Sequence, residues 1–419
     1  MTVQDHNAFM KTSDAIHVTH ENLKAIVRGL PAKAKIALSA AVGLPKGSLI
    51  IRTPEGRVLK VGGRAAGPDA EVHLHNWNLP KRAFSEATIG VAESYMDGDW
   101  SSPDVTTFLE LFLVNEDMGN RMAGGASWLL SAFNRIRHWL NENSKSGSKR
   151  NISAHYDLGN KFYDEWLDPS MTYSSALFAE GANDLESAQA AKYRALLKDL
   201  GAKKGDHILE IGCGWGGFAQ YAAQEFGCKV TGLTISQEQF DYATERMKKA
   251  GVSGLVEIKF QDYRDENGRY DHIASIEMFE AVGEKYWASY YEMLKRCLKP
   301  SGRAGIQVIT INASAFETYR KNPDFIQRYV FPGGMLPTPQ HLVDLGTVQN
   351  LPLINTRIFG QDYARTLADW RVRFWDAWPR VAMLGFDDRF KKLWEFYLYY
   401  CEAGFRSEYI DVRQVTYQG

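Results

Sequence analysis

Apolar and polar positions change their rhythm along this chain, and the change divides it. In "SLIIRTPEGRVLKVGG", residues 48–63, two apolar runs flank a Pro-Glu-Gly turn, which predicts a pair of strands. "AEVHLHNW" alternates apolar with polar and predicts a third strand. Over 126–140, "ASWLLSAFNRIRHWL" sets Leu129, Phe133, Ile136 and Leu140 on one helical face, and the polar "NENSKSGSKRN" after it reads as a linker. From 151 onward strand runs at 207–212 and near 228–235, 255–260, 271–277 and 303–311 alternate with helical stretches. That alternation predicts an α/β fold with a doubly wound parallel sheet. The expected organisation is an N-terminal α+β domain over 1–125, an amphipathic helix and linker over 126–150, and the α/β domain over 151–419.

Composition narrows the function classes. The chain has 419 residues and a net charge of −1, so no overall basic field draws it to nucleic acid. Its four cysteines form no C-x-x-C pair, which argues against a disulfide framework or a zinc site, and no metal is expected. The first residues hold no apolar secretory core, and the run "IALSAAVGL" is far shorter than the roughly 20 residues a spanning helix needs. The expectation is a cytoplasmic protein that meets a membrane only from its inner face.

The candidate chemistry lies in "HILEIGCGWGGFAQYAAQEFGCKVTGLTIS", residues 207–236. Gly212, Gly214 and Gly217 satisfy the G-x-G-x-x-G spacing between a strand and a helix. A dinucleotide site also wants an acid about 20 residues on, at the end of the next strand, to hold a ribose. Thr234 and Ser236 stand there instead, which counts against an NAD-dependent oxidoreductase. The acid lies before the turn, at Glu210. Glycines let the backbone approach a ligand closely, and a neighbouring carboxylate suits amino and sulfonium charge. Both features point to S-adenosylmethionine, with a bare packing turn as the plainer reading.

Six ordered blocks extend this reading: "HYDLGNKFYDEWLDPSMTYSSALF", the glycine turn with "LTISQEQ", "IEMFEAVGEKYWASYYEMLKRCLKPSGR", "FPGGMLPTPQHL", "FGQDYARTLADWRVRF" and "YYCEAGFRSEYIDVRQVTY". Together they resemble the cyclopropane fatty acid synthase family, and "IGVAESYMDGDW" (89–100) resembles the N-terminal domain of its full-length bacterial members. The resemblance implies a class I methyltransferase sheet that binds S-adenosylmethionine and releases S-adenosylhomocysteine. It places Gly212 and Gly214 at the amino-acid part of that cofactor, with Thr234 and Gln239 at its ribose and carboxylate region. Asp262 and Tyr263 would flank the adenine, and Tyr173 and Ser174 would close over the methionine end.

The implied reaction adds a methylene to a cis double bond of a phospholipid acyl chain. Alkene electrons take the sulfonium methyl, a carbocation forms, and a proton must leave the new methyl for the ring to close. Water has to be excluded, and a base has to lie within reach. In the family the base is a bound bicarbonate. Glu280, Tyr363 and Cys401 match positions that hold it. Ser175 stands where cysteine is usual, Gln307 where histidine is usual, and Ala281 where a histidine commonly follows the glutamate. Glutamine cannot titrate or carry charge, so these departures weaken the case for bicarbonate and raise a second outcome, a methylene- or methyl-branched chain without a ring. A lipid binder with a dead site is a further alternative, opposed by the presence of Glu280 and Tyr363.

Partners follow from the substrate: an unsaturated phospholipid, an anionic bilayer and, by the same resemblance, a homodimer. Trp128 and Trp139, with Arg135, Arg137, Lys145, Lys149 and Arg150, fit either a bilayer surface or a helix packed between domains. The aromatics between Trp370 and Tyr400 are expected to fill helix faces in the core, with some lining an acyl tunnel.

Overall fold

The computed structural model describes residues 15–115, 158–179 and 181–419. The expected helix and linker over 126–150 lie outside these residues. The chain divides into two units, Met1–Leu130 with Asp388–Ala403, and Ser131–Asp387 with Gly404–Gly419.

The first unit carries a five-stranded sheet. Its strands are β1 (Ile16–His17), β2 (Ser48–Arg52), β3 (Val58–Gly62), β4 (Asp69–Leu74) and β5 (Trp100–Ser101), in the order β1-β3-β2-β4-β5. The Pro-Glu-Gly turn joins β2 and β3 as an antiparallel pair, with Ile50 opposite Lys60. Helices α1 (Asn78–Met96) and α2 (Val105–Leu113) belong to this unit, and Asp104 caps α2 by accepting from the Thr107 N–H at 3.0 Å. The stretch 388–403 packs here too, although it reads in the sequence as part of the second domain. Aromatic burial explains this: Phe396 meets Tyr95 at 5.6 Å between ring centroids, and Glu402 accepts from the Thr106 hydroxyl at 3.2 Å.

The second unit is built on a seven-stranded sheet of β6 (His207–Ile211), β7 (Lys229–Thr234), β8 (Val256–Phe260), β9 (Tyr270–Ile276), β10 (Leu298–Ile311), β11 (Leu353–Ile358) and β12 (Ile410–Gln418). Its order is β11-β12-β10-β9-β6-β7-β8. The five strands expected from the sequence are all present, and β6 to β10 pair in parallel. The sheet is mixed rather than wholly parallel, because β12 runs antiparallel to both β10 and β11. Leu209, Ile211, Ile273, Ile306 and Val308 are almost wholly buried, as strands covered by helices on both faces must be.

The helices that matter for the site are α3 (Leu185–Leu200), α4 (Gly217–Phe226), α5 (Gln237–Lys249), α6 (Trp287–Cys297) and α7 (Gly360–Met383). Asp184 closes a capping box with Ser187 at the start of α3, and Gly201 ends that helix in the left-handed conformation. Strand order reverses at β6, whose neighbours are β7 on one side and β9 on the other. Open α/β sheets bind ligands beyond the carboxyl ends of the strands at such a point.

Candidate active site

The turn after β6 has the backbone its glycines permit. Gly212 and Gly214 have φ of +78° and +52°, in the left-handed region that favours glycine. A side chain at 212 would lie 2.8 Å from Met278 Cγ, whereas one at 214 would meet nothing within 4 Å. Gly212 thus brings the end of β6 against the segment that follows β9, and Gly214 leaves the outer part of the turn open.

Glu210 is 3% exposed, and its Oε2 has no hydrogen-bond partner among the described residues. Burial pushes its carboxyl well above the ordinary range, against the pull of the Lys192 and Arg246 charges. A buried acceptor without a donor, beside an open glycine turn, fits the cationic amino end of S-adenosylmethionine. Farther along the sheet edge, Thr234 donates to Gln239 Oε1 at 2.9 Å, and both are buried. Asp262 caps the single turn Tyr263–Asp265 and binds Arg264 through both carboxylate oxygens, at 2.8 and 2.6 Å. Tyr263 packs its ring 5.4 Å from that of Tyr290.

The segment 158–179 lies against this edge. Tyr173 is half-buried among Tyr163, Trp166 and Trp370, at centroid distances of 5.3, 5.9 and 5.2 Å. Ser174 accepts a hydrogen bond from Lys192 Nζ. Lys192 is fully buried, and loss of hydration pushes its ammonium down to about 7, against the opposing charges of Glu277, Asp168 and Glu210. The sequence reading passes over Lys192, because a lysine on an amphipathic helix ordinarily faces water.

A carboxylate that the sequence reading does not name lies at the centre of three donors. Ser175, Gln307 and Tyr363 come together, but on Glu277. Its Oε1 accepts from the Ser175 N–H at 2.9 Å and from Gln307 Nε2 at 2.7 Å, and its Oε2 accepts from the Tyr363 hydroxyl at 2.6 Å. Ser175 contributes its backbone N–H, while its hydroxyl donates to the Ala176 carbonyl at 2.9 Å. Glu277 follows β9 directly, and its φ of +50° is uncommon for a residue with a side chain. The residue keeps some exposed surface, yet protein surrounds its carboxyl closely enough to raise its pKa. Burial is the largest influence, with Tyr363, the Lys192 charge, Ser175 and Gln307 pulling the other way.

Gln307 is wholly buried on β10 and is oriented from behind. Its Oε1 accepts from Gln414 Nε2 at 3.1 Å, Gln414 accepts from Arg357, and Arg357 is paired with Asp199 at 2.6 Å. Tyr363 stacks on Phe405 with centroids 4.3 Å apart.

Glu280 stands differently. Its Oε1 accepts from the Ile309 N–H at 2.6 Å, and its buried Oε2 has no partner among the described residues. Burial, then the neighbouring Glu277 charge, push it up to about 8. Ala281 follows it on the same short turn, Phe279–Ala281. Cys401 lies in the stretch that belongs to the first unit. The sequence signal that points to Glu277 is its place: it is the first acid after a central strand, three residues ahead of Glu280. Among the described residues no cluster of ligating side chains could hold a metal ion.

Comparison with known proteins gives concordant results. A family model described as mycolic acid cyclopropane synthetase matches residues 143–415. The tuberculostearic acid methyltransferase UfaA1 of Mycobacterium tuberculosis is 36% identical over 406 residues, covering 92% of this chain and 94% of the relative. The cyclopropane-fatty-acyl-phospholipid synthase of Escherichia coli K12 is 35% identical over 357 residues, covering 83% and 87%. Among solved structures, the cyclopropane synthase MmaA2 from M. tuberculosis has a TM-score of 0.61 at 28% identity, covering 65% of this chain and 98% of that one. The mycolic acid cyclopropane synthase CmaA1, complexed with SAH and CTAB, has the same TM-score and coverage at 26% identity.

Proposed function

The chain belongs to the mycolic acid cyclopropane synthetase family of S-adenosylmethionine-dependent methyltransferases, and from that footing we propose that it adds a one-carbon unit to the double bond of an unsaturated phospholipid acyl chain, closing a cyclopropane ring. The observation that carries the reading is a partly buried carboxylate held by three donors at the carboxyl end of β9, beside the glycine turn.

Bound at Gly212, Gly214 and Glu210, S-adenosylmethionine supplies an electrophilic methyl on a cationic sulfur. The protein's part is orientation, dryness and the removal of a proton. Tyr163, Trp166, Tyr173 and Trp370 form a continuous aromatic cluster beside the site. Such faces exclude water and stabilise nearby positive charge. Once the acyl chain carries the new methyl and a cationic carbon, loss of a methyl proton closes the ring.

A second product is consistent with the same cation. If a hydride moves before the proton leaves, the chain keeps a methylene branch instead of a ring. The departures at Ser175, Gln307 and Ala281 favour this outcome, as does the extent of the match to a relative named as a methyltransferase. Expression in a host that lacks such an enzyme, followed by proton NMR of its phospholipids, separates the two. High-field cyclopropane protons support ring closure. Vinylidene signals alone replace it with the branched product, and unmodified lipids overturn both.

The proposal includes work at the inner face of an anionic bilayer, with the basic residues of 126–150 as the contact. Sedimentation with anionic liposomes tests this. Neutralising Arg135, Arg137, Lys145, Lys149 and Arg150 should release the protein, and unchanged binding removes the segment from that role.

A further inference from the structure

We propose that Glu277 is the catalytic base of this enzyme, so that the proton leaving the new methyl group is taken by a side chain of the protein and no dissolved anion is needed. The inference rests on the alkene-methylation reading above and identifies the group that completes it.

The argument is geometric. The three donors that could cradle a small oxyanion, the Ser175 N–H, Gln307 Nε2 and the Tyr363 hydroxyl, are all directed at one carboxylate that the chain itself carries. The adjoining Met278 lies against Gly212 of the cofactor turn, which puts Glu277 at the strand end where ligands of this sheet collect. The backbone at 277 is left-handed, a conformation that proteins retain on non-glycine residues where the surroundings enforce it, and such positions cluster at active sites.

A second carboxylate sits nearby, and the two have different roles. Glu277 and Glu280 repel one another, so both do not ionise readily in one buried place. The charge belongs on the one with three hydrogen-bond donors. Among the described residues Glu280 has two backbone donors, the Ile309 N–H and its own N–H, and no side-chain donor, and it stays protonated near neutrality. Glu277 is therefore the free base of the pair, and burial raises its proton affinity toward the working pH, where a general base acts best.

The step balances within substrate and side chain. A C–H bond of the attached methyl breaks, and its electron pair forms the carbon–carbon bond to the cationic centre. The proton moves to a Glu277 oxygen. In the branched outcome the same electron pair forms a double bond instead. Return of the proton to solvent resets the carboxylate.

The test uses the full chain with unsaturated phospholipid vesicles and S-adenosylmethionine. Expected for E277Q is a loss of turnover of about 10²-fold or more, the usual contribution of a general base, with calorimetric affinity for S-adenosylhomocysteine unchanged. With a trideuterated methyl donor, the isotope effect on turnover should rise in E277Q, because proton loss becomes slow; a merely structural role would not move it. E277D should recover part of the rate. Wild-type turnover should be equal in carbon-dioxide-free buffer and with added bicarbonate, an arm that stands even where E277Q does not fold. E277Q turnover within threefold of wild type, an unchanged isotope effect, or a wild type that stops without bicarbonate overturns the base. A wild type that converts no unsaturated phospholipid overturns the proposed function itself.

Discussion

Tyr363 donates its phenolic hydroxyl to Glu277 Oε2 at 2.6 Å, from a helix nearly ninety residues farther along the chain. Hydrogen bonds to charged groups contribute about 1.5–3 kcal/mol. Y363F keeps the stack on Phe405 and removes only this bond, so turnover should fall by roughly 10- to 100-fold while affinity for S-adenosylhomocysteine holds. Steady-state kinetics beside calorimetry check the split.

The two glycines of the cofactor turn should respond unequally to alanine. Both have positive φ, which costs about 1–2 kcal/mol for a residue with a Cβ. At 212 the added carbon also strikes Met278, the neighbour of Glu277, whereas at 214 it meets open space. G212A should therefore lose both cofactor affinity and turnover, and G214A should show the smaller loss in both, measured by titration calorimetry and initial rates.

Stability should depend on pH through Glu280. Its folded pKa, pushed up to about 8, lies above the ordinary value of 4.5. Between those values the unfolded chain is ionised at this position while the folded one holds a proton, so the folded state binds more protons. Stability from this group is full below about 4.5, falls as pH rises, and levels off above about 8. E280Q should flatten the fall in melting temperature across that window, as scanning calorimetry at several pH values would show.

Gln307 links Glu277 to the Gln414–Arg357–Asp199 chain behind it. Q307L fills the same place but removes one of the three donors to Glu277 and one of the two acceptors of the Gln414 amide. Each lost hydrogen bond costs about 0.5–1.5 kcal/mol, more where the acceptor is charged, so thermal unfolding should shift downward and turnover should drop. Q307E instead sets a third acid against Glu277 and Glu280, and should stop turnover at neutral pH while recovering some of it in mildly acidic buffer.

The sheet of the second unit was legible because its strands are short apolar runs punctuated by glycine, and Glu210 before the turn separated the cofactor class from a dinucleotide. The antiparallel strands β11 and β12 lie outside the strand pattern that the sequence predicts. Leu353–Ile358 is mostly exposed or half-exposed and lacks the apolar signature of a buried strand. Ser175, Gln307 and Tyr363 stand together in the structure, round a carboxylate that the sequence reading does not name. Glu277 directly follows β9 and Glu280 lies three residues on, in the turn Phe279–Ala281, and no sequence pattern tells which of them meets the donors. Lys192 was hidden for a different reason: its burial is set by Ser174 and by acids distant in the chain, which no local pattern encodes.

The backbone at Glu277 adopts a conformation that glycine enters without strain. The reagent is in that sense a plug-in part. Clipping it off with E277G would relax the main chain and leave three unpaired donors round a hollow the size of a carboxylate. Formate or bicarbonate supplied from the buffer should occupy that socket and restore turnover in a saturable way, making a one-residue exchange the difference between a base that is built in and one that is borrowed.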